Sequence, residues 1–302
     1  MAHFPSTSYS ELMQCLSPCE QPLIAFYDDI RPKRFIGPSD GLNMSPRGIK
    51  EFLRTLTYFP DTRKAKEKHF RCIFQFIMQT RKNGTPSVFS AEQFGCPGFR
   101  FYAGFQKTLP TFNHHFTSNG IPGIYPGERF YPSAASAKKS AEVLEGTTAK
   151  GKYLVFKHFS PSDTDKSIES IIFFGNPETI IGLAGLVRYA TDNDHSVHSI
   201  YCSGCSSIFA WPKKFLSNGK DEAILGVFDL AARPWLKPGE MTLAMPFSLF
   251  RKILSIYQST FIYKPIKYKN HKNADMLFGW NDIKRRSSYI HSLFEKSSSD
   301  DK

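Results

Sequence analysis

The stretch 153–190, YLVFKHFSPSDTDKSIESIIFFGNPETIIGLAGLVRYA, decides the fold. Its first part, Tyr153 to Phe159, is a short run rich in aromatic and aliphatic residues, and Ser167 to Phe174 is a second. Runs of this length and composition, bounded by Ser, Pro and Asp, read as β-strands. Asn176-Pro177-Glu178 then breaks the pattern. Proline is favoured in the first turn of a helix, where its missing N–H is not needed, so a helix is predicted from there to Ala190. It is apolar nearly all round, which predicts a buried helix. Strands interleaved with helices predict an α/β or α+β fold, a mixed sheet flanked by helices.

Further signals extend this pattern outward. Tyr9 to Leu16 is a short amphipathic helix candidate. Ser45-Pro46 reads as an N-cap and first helical position, with Ile49, Phe52, Leu53 and Leu56 following at helical spacing. His69 to Lys82 predicts a third helix, ended by Gly84, with Arg81 and Lys82 complementing its last turn. Pro86 to Phe89 and Ala223 to Phe228 are strand candidates, and Ser133 to Leu144 and the segment from Pro246 to Phe261 are helical. Residues 1–262 are read as a single unit, with a candidate sub-boundary near 150 in the small polar run Gly146 to Lys152. Residues 263–302 form a basic extension with a polar tail.

Composition narrows the class. The 302 residues are 41% hydrophobic and 22% charged, which excludes global disorder. The 28 Phe residues predict aromatic cores. The first ten residues have no basic and apolar leader pattern, and no stretch has about 20 unbroken apolar residues, so no signal peptide and no membrane span are expected. Six Cys are too sparse for a secreted disulfide scaffold. A cytoplasmic protein with reduced thiols is expected, and Asn83-Gly84-Thr85 is read as a turn rather than a glycan site. The net charge of +12 permits an anionic partner without specifying one.

The sharpest chemical feature is Cys202-Ser-Gly-Cys205. Such a loop can bring two sulfurs to one metal, which is half a tetrahedral site. Cys96 sits in the tight bend Gly-Cys-Pro-Gly, and Cys72 lies in the first part of a helix, where the dipole favours thiolate. Cys72, Cys96, Cys202 and Cys205 together could hold an iron–sulfur cluster. With only three of them bound, one iron stays open as a Lewis acid. The competing reading is that each is a small buried hydrophobe. Zinc is the alternative metal, held by a nominal set of His195, His198, Cys202 and Cys205 or acting as a structural clamp.

Charged residues pose similar choices. Asp229 and Arg233 flank the predicted strand from Ala223, either as a structural pair or with Arg233 anchoring a small anionic substrate. Glu128-Arg129 presents the same alternatives. His114-His115 is read as part of a polar loop. Gly146 to Lys152 almost spells a phosphate-binding loop, but Tyr153 stands where a Ser or Thr is needed and no strand precedes it. In the C-terminal stretch, Lys264, Lys267, Lys269, Lys284, Arg285 and Arg286 interleave with Tyr263, Tyr268 and Trp280. That pattern suits nucleic acid, with lysines on phosphates and rings on bases, and it equally suits a solvated surface.

The ordered motifs Phe94-Gly95-Cys96-Pro97-Gly98, Glu128-Arg129-Phe130-Tyr131, Ser203-Gly204-Cys205-Ser206-Ser207, Phe228-Asp229 with Ala232-Arg233-Pro234, and Met245-Pro246-Phe247 resemble the prokaryotic "domain of unknown function 169" family. The resemblance runs from about Leu12 to Phe261. It implies recurring cysteines at Cys72, Cys96 and Cys205, hence a three-cysteine site with Cys202 as an optional fourth. It implies no particular activity.

Overall fold

Strand β1 (Leu23–Asp28) follows helix α1 (Ser6–Cys15) and is an interior strand of the sheet, third in its order. The computed structural model describes residues 6–16, 19–38, 73–92, 97–123, 127–163, 167–229, 232–264, 266–269 and 275–278. The helix expected from Ser45, and Cys72 and Cys96, lie outside the described residues. After β1 come α2 (Ile73–Asn83), β2 (Ser87–Ser90), α3 (Pro97–Tyr102), α4 (Thr111–Thr117), α5 (Ala134–Glu142), β3 (Tyr153–His158), β4 (Ile168–Gly175) and α6 (Pro177–Thr191). Then follow β5 (Val197–His198), a π-helical turn (Ser206–Ala210), α7 (Trp211–Ser217), β6 (Ala223–Gly226), β7 (Met241–Met245), α8 (Phe247–Ile256) and a hairpin of β8 (Ile266–Lys269) and β9 (Asp275–Phe278).

Seven strands form one open sheet in the order β2-β3-β1-β4-β7-β6-β5. The pairs are antiparallel except β5 with β6. The sheet therefore draws strands from both sides of residue 150. Every residue of β4 is buried. Its side chains alternate, with Ile172 and Phe174 entering one core and Ile171 and Phe173 the other. In the same way β1 sends Leu23 and Ala25 one way and Ile24 and Phe26 the other. Period-2 alternation with both faces apolar requires cover on both sides. Helices α2 and α7 and the π-helical turn cover the first face, and α1, α6 and α8 cover the second. The result is a three-layer α/β fold with a mixed sheet flanked by helices.

The predicted start of α6 is confirmed in detail. The Asn176 side chain accepts the Thr179 N–H at 2.9 Å, and Pro177 opens the first turn. The expected burial all round is corrected. Ile180, Leu183, Leu186 and Val187 face the core, but Ile181 and Tyr189 are exposed, so only one side of this surface helix is covered. The helix from Pro246 has Leu249, Phe250, Ile253 and Leu254 buried on one face. His114-His115, expected in a loop, lies on α4, with His114 buried.

The π-helical turn positions the residues discussed next. Wider i→i+5 pairing leaves a carbonyl without its α-helical partner. Here the Ile208 carbonyl accepts the Ser170 hydroxyl of β4 at 2.8 Å. Among the described residues, no helix is long and apolar enough to cross a membrane.

Candidate functional site

Cys202 lies in a loop whose position is fixed from two sides. Ser207 Oγ donates to the Gly204 carbonyl at 2.9 Å and accepts the Val227 N–H at 3.1 Å, tying the cysteine loop to the end of β6. Val227 has φ of 61°, a conformation a β-branched residue rarely adopts. Two residues later, Asp229 Oδ1 accepts the Ala232 N–H at 2.9 Å. Gly204 is required by space, because an added Cβ would lie 2.6 Å from the Ala232 Cβ and 3.1 Å from Asp229 Oδ2.

The facing wall comes from residues 128–131. Their backbone is clamped to the end of α4, with the Glu128 and Arg129 N–H groups donating to the Phe116 and Ser118 carbonyls, both at 2.8 Å. Arg129 has φ of 60°. Strained backbone thus flanks both carboxylates, Glu128 and Asp229, and such strain persists where surrounding contacts enforce it, often at functional sites. Phe130 stacks on Tyr201 with ring centres 3.7 Å apart. The Tyr131 hydroxyl lies 2.8 Å from both Ser140 Oγ and the Tyr201 carbonyl.

Between these walls is a narrow cavity of about 30 Å³, lined by Tyr102, Glu128, Tyr131, Tyr201, Cys202, Ser203, Ser206, Trp211 and Asp229, with α5 along one side. That is room for about one water or one ion. Among the described residues that line it, none is cationic. Its electrostatics follow from that. Burial, with Asp229 adding repulsion, raises the Glu128 carboxyl to about 8. Burial pushes the Cys202 thiol up to about 12; Ser206 and Trp211 pull the other way and Asp229 adds to the rise. The Ser206 hydroxyl and Trp211 N–H have no hydrogen bond of ordinary geometry, so their hold on the sulfur is weak. Tyr201 is raised far above the usual phenol range by burial and then by Glu128 and Asp229, and its hydroxyl has no partner among the described residues.

Of the residues singled out in the sequence, Cys202, Asp229 and Glu128 line this cavity, and Cys205 is not among its lining residues. Cys205 is buried, its Sγ 3.4 Å from Ser203 Oγ. Arg233 turns elsewhere and donates from Nη1 to the Glu240 carbonyl. Arg129 is exposed. His198 does not join the cysteines; it lies 3.1 Å from Glu222 Oε2 and stacks on Phe215. Lys264 is exposed, Lys267 and Lys269 fall on β8, and Lys284, Arg285 and Arg286 lie outside the described residues. Among the described residues, no three His, Cys, Asp or Glu side chains converge closely enough to hold a metal. Tyr102, Tyr201 and Trp211 carried no sequence signal, because single aromatics in a Phe-rich chain read as core.

The fold and this pocket define an α/β protein with a small, buried, acidic thiol-containing cavity. The profile of the DUF169 family, described as uncharacterised ArCR, matches residues 41–255, more than two thirds of the chain, and the chain belongs to that family. No curated protein and no solved structure matches it.

Proposed function

We propose that the protein is a metal-binding protein whose centre is built on Cys202 and Cys205 and completed by Cys72 and Cys96. One observation carries the reading: the cavity gathers a thiol and two carboxyl groups with no cationic lining residue among those described. Such a lining is complemented by a cation. A coordinated metal deprotonates a thiol outright, which reverses the upward push that burial gives Cys202.

The cavity's thiol and carboxyl groups suit a single ion such as zinc, and the four cysteines together also suit an iron–sulfur cluster. With three thiolates bound, a metal would keep one coordination position open and would supply Lewis-acid or redox chemistry; Glu128, beside Cys202 in the cavity, would hold a proton there at neutral pH. The test is iron, zinc and acid-labile sulfide analysis, with an absorbance spectrum, on protein purified without oxygen. Bound metal near one centre per chain is expected, lowered in Cys72→Ser, Cys96→Ser and Cys205→Ser. Full retention in all three variants, or a metal-free wild type, overturns the proposal. Brown colour with matched iron and sulfide identifies the cluster, and colourless protein with stoichiometric zinc identifies the clamp.

A further inference from the structure

On the α2 side of the sheet lies a second and larger depression. Its volume is about 370 Å³, within the range of small-molecule sites. Glu20, Gln75, Met78, Lys82, Trp235 and Lys237 line it, with Arg81 at its base. Its chemistry is the opposite of the acidic cavity's. Arg81 is fixed as a structural cation: Nη1 donates to Glu240 Oε2 at 2.9 Å, Nη2 pairs with Oε1, Nε donates to Glu20 Oε2 at 2.7 Å, and the guanidinium lies 4.5 Å from the Phe174 ring centre. Arg233 bonds to the Glu240 carbonyl and Lys237 Nζ to Glu20 Oε1 at 2.8 Å. Two cationic side chains, Arg81 and Lys237, therefore meet two carboxylates at this corner, with Arg233 on the Glu240 backbone carbonyl.

We infer that this groove binds a flat organic anion carrying a carboxylate or sulfonate. Trp235 and Met78 give it an apolar wall for a ring. Lys82 is exposed, and Lys237 is 72% exposed in a surface pair with Glu20, so both can turn their charge to a ligand at little loss. The Arg81 fork is already taken by Glu240, and lysine presents a point charge, so the groove lacks the bidentate donor that favours phosphate. This inference is independent of the metal centre: the two sites share no residue.

The experiment is calorimetric titration of the full chain with 1-naphthoate, and with 1-naphthalenemethanol as its uncharged counterpart. The naphthoate is expected to bind about tenfold tighter, a difference of roughly 1.4 kcal/mol. Lys237→Ala and Lys82→Ala should each weaken naphthoate roughly fivefold and leave the alcohol unchanged. Lys252→Ala, on the far side of the molecule's sheet in a pair with Asp221, should change neither. Equal affinity for acid and alcohol, no binding up to millimolar concentration, or insensitivity to both lysine variants overturns the inference.

Discussion

Two buried groups of charge sit on the same face of the sheet and are managed differently. At the Arg81 corner every buried charge has a partner: Glu240 is 7% exposed and accepts from Arg81 and from the Lys237 N–H, while Arg81 is 6% exposed and also holds Glu20. In the cavity beside Cys202, Glu128 faces Asp229, and the described lining holds no cation. The first arrangement belongs to the fold, since paired and hydrogen-bonded charges tolerate burial. The second is tolerable with a proton on Glu128 or with a bound cation, so its charge state depends on pH and on what it binds. Pairing, not burial, separates the two clusters.

The comparison breaks most visibly at Arg81. Arg81→Met leaves Glu240 buried and unpaired, and a stability loss of about 3–5 kcal/mol is expected in urea unfolding. Adding Glu240→Leu should recover at least half of it; no recovery would mean that the Arg81 contacts, not the pair, hold the corner. Gly204→Ala comes next. Its Cβ would press on Ala232 and Asp229, with an expected loss of about 1–3 kcal/mol in the same assay and a reduced metal content.

The third prediction concerns pH in chelator-treated protein. The Glu128 carboxyl is raised to about 8 in the folded chain, so the folded state holds a proton that the unfolded state releases near pH 4.5. Its contribution is complete below that and is lost as pH rises through 8. Unfolding midpoints should fall between pH 5 and 8.5, and Glu128→Gln should flatten this by on the order of 1 kcal/mol. An unchanged slope would place the proton elsewhere. The smallest effect is Lys252→Ala, which removes an exposed pair and should stay within about 0.5 kcal/mol.

Much of the fold is legible from residues alone. The Asn-Pro-Glu start of α6, the Ser133 cap of α5 and the alternating run of β4 are local signals, and local chemistry fixes them. Strand β1 is not legible, because a short apolar run, Leu23 to Tyr27 after Pro22, carries no periodicity that separates strand from loop. Strand β7, Met241 to Met245, is also short and carries no turn signal of its own. Helix α4, with the sequence TFNHHFT, is set by packing: Thr111, Asn113 and Thr117 favour turns, yet His114 is buried against the rest of the molecule. At the site, the cysteine loop and Asp229 were visible as motifs. Their meeting with Glu128 and Tyr201 was not, because it depends on two strained loops whose φ values no residue type announces.

The interior place of β1 has a consequence for biosynthesis. The strand is complete at Asp28, but its two neighbours begin at Tyr153 and Ile168. At roughly 5–20 residues per second, a ribosome needs about 6–25 s to deliver the first of them. During that interval Leu23, Ile24 and Phe26 have no strand to pair with, and the nascent chain carries them as a sticky segment. Pairing must wait for β3 and then β4 to emerge, which makes assembly late and dependent on long-range contacts. Expression at lower temperature, or with chaperones that hold extended apolar segments, should raise the soluble yield of this chain more than any stabilising change at its surface.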